Sequence, residues 1–172
     1  MIYLKSKLMI SIFVLFGLLF TGAQKNGPNE ILFAKVSGKS YEFVIDTLAF
    51  KKSVSNSLFS KESKGNYDKT EIRRSKTLGD INQDYYYVIL YHYGKNLKTA
   101  RYLKYDDGKL YLSSDSSFNR LYNSCVGIEN KCSPNVVLNS KLEMDWICSD
   151  ELGVCSIDAK ECQSYKSIVL EY

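Results

Sequence analysis

The chain has 172 residues, with 23 basic and 19 acidic side chains, 14 tyrosines, five cysteines and one histidine. A net charge of +4 over this length is too small to indicate a nucleic-acid-binding protein, which presents a concentrated basic surface. The length suits one globular domain with its own hydrophobic core.

The first 23 residues have the three regions of a secretory signal peptide. Lys5 and Lys7 supply positive charge, an apolar run of thirteen residues follows, and Thr21-Gly22-Ala23 offers the small residues of a cleavage site. The apolar run is short for a membrane span, which needs roughly 20 residues. We therefore predict an exported protein, periplasmic or secreted, with no membrane span after cleavage. Residues 24–172 would form a single β-rich domain, and an uncleaved membrane anchor is the alternative.

The first elements of this domain are predicted to be a hairpin and a helix. Apolar runs at residues 31–36 and 41–45 flank a turn at Gly38, which is typical of a β-hairpin. Apolar side chains then recur every four residues along residues 48–59. With Asp46 as the capping residue, this spacing predicts a short helix.

A long loop and a three-stranded meander are predicted next. Residues 60–84 are polar and mixed in charge, which favours a loop with a weak strand around residues 70–74. Tyrosine and aliphatic side chains alternate along residues 85–93, where both faces could be covered, so this strand is predicted to be central. Residues 97–105 and 109–113 would complete the antiparallel meander. The turns are expected at Gly94-Lys95-Asn96 and Asp106-Asp107-Gly108.

The C-terminal third is predicted to contain a looser segment and further strands. Residues 114–135 would include a helical turn near residues 118–122, and residues 142–148 alternate like a half-buried strand. The predicted core face of that strand is Leu142, Met144, Trp146 and Cys148, and the last strand candidates are residues 154–157 and 167–170. The fold class is mainly β, as a meander sheet, sandwich or barrel with one short helix, and α+β is the alternative.

The cysteines lie in the C-terminal part of the domain, residues 125–162. They lack the Cys-X2-Cys pairs of a short zinc knuckle, so we predict no metal site. In an exported protein they indicate a disulfide-stabilised region with two disulfides and one odd thiol. The predicted pairs are Cys125 with Cys132 and Cys148 with Cys155, which leaves Cys162 as the odd thiol. Cys155 with Cys162 has the same spacing and is the alternative pair.

The chain carries no recognisable catalytic or cofactor-binding motif. His92 falls on the aliphatic face of the strand predicted to be central, where a structural histidine is favoured over a base that activates a cysteine. No phosphate loop or dinucleotide fingerprint occurs, so no cofactor is predicted. Adjacent carboxylates usually point apart in a strand or solvate a turn, but they keep open the alternative of a hydrolase acting on envelope or extracellular polymers. The carboxylates in question are Asp106, Asp107, Asp145, Asp150 and Glu151.

Two groups of basic residues suggest a contact surface. Lys69, Arg73, Arg74 and Lys76 form the first group, and the second includes Lys98, Arg101 and Lys104. Nearby tyrosines could stack on a ligand, although a solvated face is favoured over a polyanion site. The candidate partner contacts are Arg73, Arg74, Tyr102 and Tyr105.

These patterns favour an exported binding or interaction protein of the cell envelope or the extracellular space. The partner would be another protein, because tyrosine is well suited to interfaces, and an inhibitor or immunity-type protein belongs to this class. Nucleic acid is not a predicted partner. Besides the hydrolase, the remaining alternative is a structural envelope component joined to a second chain through Cys162.

Overall fold

The structure, a computed structural model, describes residues 29–59, 65–127, 131–149 and 162–169. The predicted signal peptide and the predicted strand at residues 154–157 lie outside them. In these four ranges, no helix has the length and apolar character that crossing a membrane requires. The elements are β1 (Glu30–Ser37), β2 (Ser40–Phe43), α1 (Thr47–Leu58), β3 (Lys69–Lys76), β4 (Asp84–His92), a 3-10 turn (Tyr93–Lys95), β5 (Leu97–Asp106), β6 (Lys109–Ser113), α2 (Ser117–Arg120), β7 (Leu121–Gly127), β8 (Ser133–Leu138), β9 (Met144–Ser149) and β10 (Cys162–Ile168).

The fold is mainly β, as predicted, and its strands pair antiparallel. Eight strands form one sheet, in which β10, β7, β5, β6, β1 and β2 are successive neighbours and β4 and β3 extend from β5. The first half of β5 pairs with β4 on one edge and β7 on the other, and its last residues pair with β6. β8 and β9 form a separate hairpin.

The predicted hairpin and helix at the start of the domain are confirmed. β1 pairs with β2 in the register Ala34 to Phe43, and the turn between them has Gly38 at a φ of 61°, which glycine adopts without steric cost. The side chain of Asp46 accepts hydrogen bonds from the amides of Leu48 and Ala49 at 2.8 and 3.1 Å. These bonds satisfy amides that have no partner within the first turn of a helix.

The prediction that β4 is a central strand is also confirmed, because both of its faces are covered. Tyr85 and Tyr87 point to one face, where they pack with Trp146 of the β8–β9 hairpin. On the opposite face Val88 packs with Phe33 of β1. Alternation of side chains along a strand therefore gives β4 one core on each face. The meander β4–β5–β6 follows as predicted.

The weak strand predicted around residues 70–74, within the long loop at residues 60–84, is confirmed and is longer than predicted. Residues Lys69–Lys76 form β3, which pairs with β4 along its whole length. The sequence pattern of β3 is weak because Ile72 is its only large apolar residue and the others are charged or polar. Ile72 is buried. The strand is stabilised by pairing with β4 and by this single anchor.

The looser segment predicted at residues 114–135 contains two strands, β7 and β8. The sequence pattern does not predict β7 because its central residues Asn123 and Ser124 are polar. Both are nevertheless buried. Asn123 donates to the carbonyl of Ile147 at 3.2 Å and accepts from Ser164 at 2.9 Å, and Ser124 bonds Thr99 at 2.8 Å. Buried polar groups are tolerated when they are bonded in this way, so hydrophobic periodicity does not reveal such a strand.

The strand predicted at residues 142–148 is confirmed in part. Trp146 is 1% exposed, as expected for a core residue, but Leu142 is 72% exposed and has a φ of 64°. Leu142 lies in the turn before β9, so it cannot continue the alternation. The last strand, β10, begins at Cys162 rather than at residue 167.

Two disulfides fasten the β8–β9 hairpin to the main sheet, and the predicted cysteine pairs are wrong. Cys125 of β7 is bonded to Cys148 of β9. Cys132, next to β8, is bonded to Cys162 of β10. Cys162 is therefore not the odd thiol. The cysteine that takes part in neither bond is Cys155, which lies outside the described residues.

The reason for this pairing is the layering of the two sheets. β7 and β10 are neighbours in the main sheet, and β8 and β9 pair as the hairpin. Each bond therefore joins the main sheet to the hairpin or the residue next to it, whereas both predicted pairs join cysteines seven residues apart. The residue opposite Cys148 in the hairpin is Pro134.

Candidate functional site

The edge strand β3 presents basic side chains on both of its faces. It pairs with β4 from Lys69 opposite Tyr91 to Lys76 opposite Asp84, and within the described residues it pairs with no other strand. An edge strand leaves one row of backbone groups and two rows of side chains available to a partner. We call this surface the arginine–tyrosine edge; it comprises β3, Asp84 and the surrounding tyrosines Tyr41, Tyr86, Tyr91, Tyr93 and Tyr105.

On one face of the edge, two cations lie over the ring of Tyr91. The guanidinium of Arg73 is 5.7 Å from the ring centroid, and the ammonium of Lys69 is 6.0 Å from it. Glu71 accepts a hydrogen bond from the Tyr91 hydroxyl at 2.9 Å and pairs with both cations. The hydrogen bond from Lys69 lowers the pKa of Glu71. Tyr93 stacks on Tyr91 at 5.8 Å and is half exposed.

On the opposite face, Arg74 lies over the ring of Tyr86 in the same way. Its guanidinium is 5.7 Å from the ring centroid and pairs with Asp84 at 2.6 Å. Tyr105 of β5 stacks on Tyr86 at 5.2 Å, and Tyr41 of β2 contacts the same ring edge-on at 6.3 Å. Tyr105 is half exposed. Each face of β3 therefore carries an arginine lying against a β4 tyrosine, with a further tyrosine open to solvent.

The charge of the arginine–tyrosine edge is positive. Its four cations exceed its two carboxylates, Glu71 and Asp84, by two charges. The side chains of Arg73 and Arg74 are each about half exposed, so their ion pairs add little stability. The aromatic rings support the two guanidinium groups. Each guanidinium has more N–H donors than its ion pair with Glu71 or Asp84 uses, so the remaining donors can bind a partner's carboxylate.

The four predicted partner contacts do not form one patch. Arg73 and Arg74 lie on opposite faces of β3, and Tyr105 belongs to the Arg74 face. Tyr102 lies one strand further from β3, half-buried against Phe118 at 5.4 Å. The residues that sequence reasoning missed are Tyr41, Tyr86, Tyr91 and Tyr93. Only the β3–β4 register, which the sequence does not reveal, brings Tyr86 and Tyr91 beside the two arginines.

The second basic group, on β5, is used inside the fold. Arg101 is 1% exposed. It donates to the carbonyls of Asn119 and Ser113 at 2.9 and 3.0 Å and lies over the Tyr122 ring. Lys98 donates to the Ser133 hydroxyl at 2.9 Å, and Lys104 pairs with Glu30 at 2.5 Å. These residues therefore hold β5 against its neighbours and do not extend the arginine–tyrosine edge.

The sulfur atoms of the two disulfides lie close together. Those of Cys125, Cys132 and Cys148 are within 4.8 Å of one another. Metal binding by cysteine requires the thiolate, and each of these sulfur atoms is engaged in a disulfide. In the oxidised protein this cluster therefore links the two sheets and offers no ligand set.

The residues considered for acid–base chemistry lie in separate places. Asp106 and Asp107 lie at the exposed turn between β5 and β6. Asp145 of β9 is bonded to Lys166 at 2.6 Å. The ring of His92 contacts Phe59 edge-on at 5.9 Å, and its Nδ1 is 3.8 Å from the Asp68 carboxylate. Asp150 and Glu151 lie outside the described residues.

Two buried tyrosines link titration to stability. Burial raises the pKa of Tyr67 and Tyr85 to about 12, whereas an unfolded chain has a tyrosine pKa of about 10. The stability that their protonated hydroxyl groups contribute to the fold is therefore complete below pH 10 and is lost as the pH rises through 12. We expect each tyrosine to account for a loss of roughly 2 kcal/mol across this window.

The measurement is the thermal unfolding temperature between pH 9 and pH 12. Tyr67→Phe and Tyr85→Phe should each make the fall in unfolding temperature across this window smaller. Tyr105→Phe, at an exposed position, should leave the fall as steep as in the wild type. Equal slopes for the wild type and both buried-site variants would contradict the linkage.

No protein-family model matches this chain, and neither the curated proteins nor the solved structures include a significant match.

Proposed function

We propose that this is an exported binding protein whose arginine–tyrosine edge contacts an acidic protein partner in the cell envelope or the extracellular space. The observation that carries the proposal is the placement of Arg73 and Arg74, each over the ring of a β4 tyrosine and about half exposed, on the two faces of one edge strand. Arginine and tyrosine are the residue types that interfaces favour.

Export is supported by the N-terminal sequence and by the disulfides. Residues 1–23 have the regions of a signal peptide, and two disulfides join the sheets. Disulfides persist in oxidising compartments and are rare in the cytosol. The periplasm and the extracellular space both fit this chemistry.

The partner's chemistry follows from charge and shape. The edge carries two net positive charges, so an acidic surface complements it. The edge of β3 that faces away from β4 pairs with no strand of the described residues. It can pair with an extended segment, since backbone hydrogen bonding adds a strand to an exposed sheet edge. Acidic side chains on alternate residues of such a segment would reach the Arg73 face or the Arg74 face.

The aromatic part of the surface would supply most of the binding energy. Tyr93 and Tyr105 are each half exposed, and each stacks on an inner tyrosine that holds its ring in place. Rings that are already ordered lose little conformational entropy on binding. An inhibitor or immunity-type protein would need a surface of this kind.

Charge reversal of both arginines tests the proposal. We expect Arg73→Glu/Arg74→Glu to lower capture of the partner by about tenfold or more, because attraction to acidic groups becomes repulsion. The immobilised mature chain would be exposed to envelope and medium fractions of the producing organism at two salt concentrations. Proteins retained would be identified by mass spectrometry.

The matched control reverses the same amount of charge elsewhere. Lys35 of β1 and Lys109 of β6 are cross-strand neighbours, so Lys35→Glu/Lys109→Glu gives the same net charge as the arginine variant. Support requires one acidic protein that the wild type and this control retain, that salt weakens and that the arginine variant loses. Equal retention by all three proteins, or equal loss in both variants, would contradict a specific site at β3.

A further inference from the structure

A cavity of about 400 Å³ opens beside the end of α1, where β5, β7 and β10 come together. None of its lining residues belongs to the arginine–tyrosine edge. Its volume is within the range of small-molecule sites, roughly 300 to 1,000 Å³. On the β10 side the cavity is lined by Tyr165 and Ser167.

The walls of the cavity are mostly apolar. Leu58 and Phe59 come from α1 and its C-terminal cap, Leu97 from β5 and Val126 from β7. Tyr165 of β10 lies at the opening and is 53% exposed. An apolar ligand would cover these side chains and remove them from water, which is favourable.

Hydroxyl groups form the polar part of the cavity. The Tyr67 hydroxyl is 2.7 Å from the hydroxyl of Thr99, which is 2.8 Å from that of Ser124. All three residues are at least nine-tenths buried. Since Tyr67 and Ser124 line the cavity, these bonds fix polar atoms at the wall and give it a defined shape.

The charge at the cavity comes from one cation. Of the described lining residues, Lys95 alone is charged. Its ammonium is 4.7 Å from the centroid of the Phe59 ring, so the charge lies directly beside the apolar wall. A cation next to an apolar surface complements a ligand with an anionic head and an apolar tail.

We propose that this cavity binds an anionic amphiphile, a monocarboxylate whose apolar tail packs against Phe59, Leu97 and Val126 while its carboxylate lies beside Lys95. The carboxylate stays at the solvent side, where part of its hydration is kept, and the tail is removed from water. The site is independent of the arginine–tyrosine edge, so either one can fail without the other.

Binding of decanoate to the mature, oxidised chain tests the proposal. Isothermal titration should show one decanoate per chain, and decanol, which has the same tail without the charge, should bind about fivefold more weakly. Lys95→Gln should lower decanoate affinity to that of decanol and leave decanol binding unchanged. Val126→Trp should abolish binding of both ligands because the added ring fills the cavity.

The controls separate a filled cavity from an unfolded protein. Ser167→Trp fills the cavity from β10 and should act like Val126→Trp, and circular dichroism establishes which variant is folded. Leu142→Ala, at an exposed turn outside the cavity, should bind decanoate like the wild type. The proposal is overturned if the wild type binds no decanoate, if decanol binds equally well, or if a folded cavity-filling variant retains binding.

Discussion

Replacing all four paired cysteines by alanine is expected to lower the free energy of unfolding by about 7 kcal/mol. The bonded cysteines are separated by 23 and 30 residues, and in the chain-entropy model each closed loop of that length contributes roughly 3.5 kcal/mol. Domains are commonly stable by only about 5 to 15 kcal/mol. We therefore expect the four-alanine variant to be largely unfolded at 37 °C.

Urea unfolding of the paired variants measures the two contributions separately. Cys125→Ala/Cys148→Ala and Cys132→Ala/Cys162→Ala should each lower stability by about half of the total. Cys155→Ala is the matched control, because Cys155 is in neither bond. A loss of stability in Cys155→Ala equal to that of a pair variant, or peptide mapping that links Cys155 to another cysteine, would contradict the observed pairing.

Trp146→Ala is expected to lower the free energy of unfolding by about 4 kcal/mol, within the usual range for truncating a buried tryptophan. The Trp146 ring stacks on Phe118 at 5.7 Å and contacts Tyr85 and Tyr87 edge-on at 6.4 and 6.1 Å. It is the largest fully buried side chain of the described residues. Its loss would leave a cavity between the β8–β9 hairpin and β4.

The matched variant for this prediction is Trp146→Phe. The indole Nε1 has no hydrogen-bond partner among the described residues, so phenylalanine removes an unsatisfied donor along with some packing. We expect a loss of less than about 2 kcal/mol. Equal losses for Trp146→Ala and Trp146→Phe in urea unfolding would mean that packing of the ring does not hold the hairpin.

Local sequence patterns were sufficient for the elements that bury apolar side chains. β4 alternates clearly, and the four-residue spacing along α1 follows Asp46, a strong capping residue. β7 was missed, and β3 was predicted only as a weak strand, because the stability of both comes from partners distant in sequence. β3 depends on pairing with β4, and β7 buries Asn123 and Ser124 through bonds to β5, β9 and β10.

The disulfide pairing depends on tertiary structure, so spacing alone could not predict it. Short spacings favoured Cys125 with Cys132, but these residues are bonded to cysteines 23 and 30 residues away. Which strands meet is decided by the packing of Trp146 and Val136 against β4. Once the hairpin lies there, Cys125 faces Cys148 and Cys132 faces Cys162.

The sequence predicted the residue types of the candidate site, arginine and tyrosine, but not which of these residues lie together. The arginines were identified from their charge and the tyrosines from their abundance, yet Arg101 packs inside the fold and Tyr102 is half-buried against Phe118. Because successive residues of a strand point to opposite faces, Arg73 and Arg74 cannot share a patch. The contacts of each arginine are set by the register of β3 on β4, which pairs residues 8 to 22 positions apart.

Amide hydrogen exchange of the complex with the captured partner tests most directly whether β3 is the binding surface. We expect slower exchange than in the free protein for the amides of Lys69–Lys76 that are not bonded to β4, and for the turn Tyr93–Lys95. Exchange in β10, at the opposite end of the sheet, should be unchanged. Slowing confined to β10 or to the β8–β9 hairpin, with none in β3, would contradict the proposed site.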